Sequence, residues 1–291
     1  MLKVSRETSV YAMSAQNAPV LHVNAGTQLQ FETWDALQGQ FNSDGSDFDE
    51  FDWNRVNPAT GPVYVNDAQP GDILSVKIEK IDVADEGVVL CGAGMGVMGS
   101  VMQGTFRKIV RIEGDVAHFS DKIKLPLNKM VGVIGVAPKS GEIKCGVPDM
   151  HGGNMDCKEI CEGATVFLPV NVPGALLAMG DLHAVMADGE IGVTGVEVAG
   201  LVTVTVDVIK GKNWPLPMIM NDEYVMALHS HEDLDIAADT AVANIIEYLT
   251  TEEGMAQGDA VMLTSLVGDV RICQIVDPKK TVRVEFPKKY L

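Results

Sequence analysis

In the run MGDLHAVMADGE, Met179 to Glu190, a single leucine separates Asp181 from His183. If Leu177 to Val185 is a strand, Asp181 and His183 share one face and Leu182 takes the other. Two ligands at i and i+2 can grip one metal ion. A carboxylate with an imidazole suits zinc and other first-row metals, and an open coordination position would activate water or polarise a carbonyl. The competing reading has Asp181 accept a hydrogen bond from its neighbour and hold a packed imidazole. Asp188-Gly189-Glu190 reads as a turn, and GVTGVEV as the next strand, carrying Glu197. A hairpin returning these acids to the same rim offers Glu190 as the base that deprotonates an attacking water and Glu197 as a ligand or base. Otherwise both are solvated turn carboxylates.

The run HGGNMD, His151 to Asp156, is the second candidate. Gly152 and Gly153 let backbone come close to a ligand, with the imidazole of His151, the amide of Asn154 and the carboxylate of Asp156 around it. A small amide fits these groups, because its NH₂ needs acceptors and Asn154 with backbone N–H groups can stabilise the oxyanion formed on attack. The same residues also fit a tight turn in which Asp156 caps a helix beginning near Cys157.

The elements that must position these residues are mainly strands. The predicted class is mainly β (α+β), a β-sandwich or distorted barrel with one or two C-terminal helices. Short apolar runs bounded by Gly or Pro recur as ILSVKIEKI, KIKLPLNKMVGVIGVAP, ATVFLPV, ALLAMGDLHAVM and LVTVTVDVI. Val20 to Phe31 reads as a hairpin about Asn24-Ala25-Gly26, followed by an acidic loop, FNSDGSDFDEFDWN, whose spacing does not match a calcium-binding EF-hand. Gly92 to Gly99 superficially resembles a dinucleotide loop, but the strands expected at Phe106 to Phe119 exclude the helix such a loop must open. Leu234, Ala237, Ala238, Ala241, Ile245 and Leu249 recur at helical spacing, and a second helix is expected from Asp259 to Gly268 with Met262, Leu263 and Leu266 on one face. RICQIVD and TVRVEF close the chain as strands. The 291 residues are read as one catalytic region of two intertwined β-rich subdomains, about 1–150 and 151–291.

With 40 acidic residues against 22 basic ones the net charge is −18, a field that repels nucleic acid and anionic membranes while admitting neutral substrates. No apolar run is long enough to span a bilayer and the first residues lack a signal-peptide core, so the expected compartment is the cytoplasm. Five cysteines, odd in number and scattered, fit reduced thiols, and Cys157-x-x-x-Cys161 lacks the second pair that a zinc clip needs.

The runs NPATGPVYV with PGDILSVKI, then GVIGVAP, HGGNMD, GDLHAVMADGE with GVE, and finally RICQIVDPKKTVR resemble, in order and over nearly the whole chain, the acetamidase/formamidase family. The resemblance implies hydrolysis of short aliphatic amides to a carboxylate and ammonia on a β-rich, oligomeric fold, commonly a dimer. It carries roles onto Asn154, Asp156, Asp181, His183, Glu190 and Asp35. The sequence departs from the family at Ala187, where glycine is common, and at Met186, where a polar residue is frequent. The combined expectation is a divalent metal, zinc first and calcium or another ion as alternatives, held by Asp35, Asp181, His183 and Glu197. Glu190, Asn154 and Asp156 are then catalytic, and His151, Gly152 and Gly153 bind the substrate. The rivals are a cysteine amidase using Cys157 and a non-catalytic ligand- or metal-binding protein.

Overall fold

The structure, a computed structural model, describes residues 1–41 and 51–291. Most of the expected acidic loop, residues 42–50, lies outside the described residues. Among those described, two large sheets pack face to face. The first has nine strands in the order Leu2–Val4, Thr27–Thr33, Gly200–Ile209, Ile73–Val83, Thr165–Pro169, Met218–Met220, Tyr224–His231, Lys280–Pro287 and Asp269–Gln274. The second runs through Lys124–Pro126, Val116–His118, Thr105–Glu113, Glu86–Gly92, Glu197–Val198, Leu177–His183, Met130–Gly135 and Gly152–Asn154, with Ala59–Val65 also pairing with Leu177–His183. Strands from before and after residue 150 interleave in both sheets.

Alternation builds the first sheet. In Gly200–Ile209, Val202, Val204 and Val206 are wholly buried while Thr205 and Asp207 face outward, which lets the strand pair antiparallel with both Ile73–Val83 and Thr27–Thr33. Leu177–His183 and Met130–Gly135 are instead buried at every residue, as strands covered on both faces must be. The main core lies between the sheets, with Val76 and Val204 from one side and Val131, Leu182 and Val198 from the other. Polar residues placed on these central strands are therefore taken out of water by the architecture itself.

Helix α1, Leu234–Thr251, is capped by Asp233, whose carboxylate accepts from the N–H groups of Asp235 and Ile236. It buries Ala237, Ala241, Ile245 and Leu249 against Val225, Val282, Val284 and Phe286. Helix α2, Gln257–Val267, corrects the expected face: Ala260 and Thr264 are buried, whereas Met262 and Leu266 point to solvent. Three further expectations are corrected. Leu21–Val23 and Thr27–Thr33 belong to different sheets, so Asn24 to Gly26 is a corner and not a hairpin turn. Of GVTGVEV only Glu197–Val198 is strand, and no helix begins near Cys157, where a turn closes with Ile160 N–H donating to the Cys157 carbonyl. No helix among the described residues is long and apolar enough to cross a membrane.

Because Ile245 is completely buried between α1 and the first sheet, Ile245→Ala is expected to lose about 2–5 kcal/mol of stability in urea unfolding. A loss below about 0.5 kcal/mol, the range of ordinary surface changes, would show that α1 is not anchored there.

Candidate active site

Leu177–His183 lies between Met130–Gly135 and Glu197–Val198, and the register sets His183 opposite Glu197. His183 Nε2 is 3.1 Å from Glu197 Oε1 and 3.3 Å from Asp181 Oδ1. It is 3.8 Å from Asp156 Oδ1 and 4.0 Å from Glu190 Oε1. Two sets of potential ligand atoms follow, Asp181, His183 and Glu197, and Asp156, His183 and Glu190, each with its atoms within 4.8 Å of one another. The other ring nitrogen, Nδ1, sits 3.2 Å from Met186 Sδ. A proton on Nδ1 leaves the Nε2 lone pair facing the carboxylates, the orientation a metal ligand needs.

Backbone geometry makes room for this crowd. Asp156, Asp181 and Glu190 all adopt left-handed conformations, with φ of 42°, 58° and 45°. Each such residue costs on the order of 1–3 kcal/mol, so the surrounding sheet must impose it. Gly132 is equally constrained: a Cβ there would stand 2.5 Å from Asp156 Oδ1 and 2.8 Å from Asp181 Oδ2. Its missing side chain is the space the two carboxylates occupy.

The electrostatics are those of acids crowded out of water. Burial, followed by repulsion from neighbouring acids, holds Asp156 well above the usual carboxylate range; Glu190 is raised in the same way. Burial likewise raises Glu197 and Asp277, against some relief from His183 in the first case and with Glu190 adding to the second. Burial pushes His183 down, yet Glu197 and Asp181 outweigh it and leave its pKa well above that of a free imidazole. Asp181 ends below its ordinary value, because the adjacent imidazole overcomes its burial. Both Asp156 oxygens, Asp181 Oδ1, Glu197 Oε2 and Asn154 Oδ1 are buried without a hydrogen-bond partner. Buried charges are ordinarily paired or bound to metal, and a set of orphaned oxygens around one imidazole nitrogen has the donor chemistry for a divalent cation.

Asn154, Asp181, His183, Glu190, Glu197 and Asp277 line a cavity of about 230 Å³ whose walls include Ala36, Leu37, Trp53, Val56, Leu90 and Met95, whereas Asp156 is wholly buried and is not a lining residue. Met95 comes from the glycine-rich loop, which joins Glu86–Gly92 to Thr105–Glu113 as a hairpin. Several candidates from the sequence fall elsewhere. The Asp35 carboxylate accepts from the N–H groups of Leu37, at 2.8 Å, and Gly39, at 2.9 and 3.1 Å, so it shapes the wall and is outside the ligand sets. His151 does not line the cavity; burial pushes its pKa down to about 4, which keeps it neutral. Gly152 and Gly153 also lie off the cavity, and their bareness serves packing, since a Cβ on Gly152 would collide with the Ile134 carbonyl and one on Gly153 with that of Val147. Cys157 is fully buried in the main core and is not a lining residue. Asn154 does reach the cavity, its Nδ2 donating to Asp277 Oδ2 at 3.0 Å. Asp277 went unnoticed in the sequence; only the aspartate–proline pair inside RICQIVDPKKTVR pointed to a turn there.

A sequence profile of the acetamidase/formamidase family matches residues 15–145 and 142–290. The chain belongs to this family. Among solved structures, a predicted acetamidase/formamidase of Thermoanaerobacter tengcongensis is 46% identical, with a TM-score of 0.97 over 100% of this chain and 96% of that one. An acetamidase of Bacillus halodurans is 42% identical, with a TM-score of 0.97 over 99% and 98% of the two chains. The acetamidase of Mycolicibacterium smegmatis is 27% identical over 65% of this chain and 63% of its own length. The chain thus spans about three fifths of the length of the curated family members it matches.

Gly132→Ala should fill the space of the two carboxylates and remove cation binding. In the unaltered protein a divalent ion held by these groups would, at about 100 times its dissociation constant, raise stability by about 2.7 kcal/mol, read as a thermal shift. The same shift in Gly132→Ala would sink the assignment of this site as the cation site.

Proposed function

We propose that this family member hydrolyses short linear amides, formamide and acetamide among them, to a carboxylate and ammonia, using a zinc ion held by Asp181, His183 and Glu197. The observation that carries the reading is the buried triad at the floor of an apolar-walled cavity, with a third carboxylate lining it, Glu190, facing the same imidazole nitrogen. The names of the two closely similar solved structures, which this chain matches over nearly their full length, support the same activity. When bound, zinc supplies Lewis acidity to the amide carbonyl and to the attacking water.

The chain's own residues account for the rest. Glu190, its pKa raised by burial and by Asp156, is a stronger base than an ordinary glutamate once ionised. It takes the proton from the attacking water and passes it to the departing nitrogen, so that the C–N bond breaks with loss of neutral NH₃. The unpaired Oδ1 of Asn154 accepts from the substrate NH₂, and Asp277 holds that side chain by its Nδ2. Asp156 supplies the negative field that keeps Glu190 basic. The apolar walls take a short acyl group and exclude bulk water. The five free thiols support a reducing, cytoplasmic setting, and the working form we propose is a homodimer or higher homo-oligomer.

Purified protein is expected to release ammonia from formamide and acetamide, to lose this activity on chelation and to regain it with zinc. Glu190→Gln should lower kcat by about 10²–10⁴-fold with little change in KM. Since the base acts ionised and its pKa is raised, kcat/KM should fall as pH drops through a value above 4.5, the ordinary figure for glutamate. A fully active Glu190→Gln enzyme would remove that residue from the role, and activity untouched by chelation would remove the metal.

A further inference from the structure

The Asp188-Gly189-Glu190 turn leaves the second sheet and docks on the first. Gly189 N–H donates to the Cys273 carbonyl at 2.8 Å, and Ile275 N–H donates to the Gly189 carbonyl at 3.2 Å. Beside these bonds lies Arg283, on Lys280–Pro287, the largest completely buried side chain of the described residues. Its guanidinium grips Asp188 with both arms, Nη1 to Oδ1 at 2.7 Å and Nη2 to Oδ2 at 2.9 Å. Its Nε donates to Glu285 Oε1 at 2.7 Å, and Lys158 approaches Asp188 from the other side at 3.1 Å. A planar two-armed clamp of this kind fixes orientation as well as distance. Two residues further on, Glu190 holds a left-handed φ of 45° that its own side chain does not favour.

We infer that Arg283 is a positioning residue: through Asp188 it aims the Glu190 carboxylate at His183 and the substrate. This rests on the role given to Glu190 above. Arg283 touches no lining group of the cavity, so its effect must pass through the turn. The clamp joins the two sheets at the one turn that carries the base, and an uncharged partner at 188 would leave the backbone bonds intact while loosening the aim. Glu190 can then rotate away from the 4.0 Å approach to His183.

Asp188 is the position to alter, because its side chain is 25% exposed and the change to asparagine keeps its size. Asp188→Asn is expected to lower kcat for acetamide by about 10- to 100-fold, as changes behind a catalytic group typically do, and to leave KM close to wild type; the thermal midpoint falls, because buried Arg283 loses a charged partner, so kcat is read well below it. In a Glu190→Gln background the same change should cost nothing further, since a positioning effect disappears with the group positioned. Arg283→Lys, which keeps the charge and loses the fork, should fall between the two, whereas Arg283→Gln should match Asp188→Asn if it folds. Wild-type kcat in Asp188→Asn beside an impaired Glu190→Gln overturns this inference alone, as does a full further loss in the double variant. A fully active Glu190→Gln overturns the base assignment and the inference together.

Discussion

One imidazole nitrogen faces four carboxylates beside strands that are buried on both faces, and most of the local structure follows from accommodating that arrangement. Taking even one carboxylate out of water costs several kcal/mol unless a positive charge or hydrogen-bond donors replace the lost solvent. His183 provides at most a single positive charge, shared among Asp156, Asp181, Glu190 and Glu197. The remaining imbalance shows as raised carboxyl pKa values and orphaned oxygens. A site with this imbalance gives up stability and has the donor groups to hold a cation, and the two fully covered strands beneath it are the structural means of keeping competing water away.

The strained residues belong to the same account. Left-handed Asp156, Asp181 and Glu190 each arrive from a different segment, and the chain must bend sharply at each to turn its carboxylate inward. Gly132 and Gly195 contribute by what they lack: side chains there would occupy the volume of Asp156 and of the His183 ring. The same sequence that builds a tight hydrophobic core therefore leaves defined gaps at glycine, and polar groups fill them.

Much of this was legible from sequence because local periodicity and ligand spacing are local quantities. The strands LVTVTVDVI and ALLAMGDLHAVM, the helix spaced from Leu234 to Leu249 and the pairing of Asp181 with His183 all depend on neighbours within a few residues. What failed depended on tertiary context. Asp35 is spent on its own turn, and the two glycines at 152 and 153 answer to carbonyls from Ile134 and Val147, which no spacing rule anticipates. The apparent hairpin at Asn24 became a corner because its two strands find better partners in separate sheets. Asp277 was missed because its relevance comes from a turn folded back over a site built from residues far earlier in the chain.

That last feature has a consequence for synthesis. Asp277 and Arg283 lie on the final hairpin, Asp269–Gln274 with Lys280–Pro287, whereas the residues they support lie between 154 and 197. During translation residues 154–197 emerge before residues 269–287, so the strands carrying the acidic cluster are synthesised ahead of the hairpin that braces them. The bonds joining Asp277 to Asn154 and Arg283 to Asp188, 123 and 95 residues apart in sequence, can form only once that hairpin has been made.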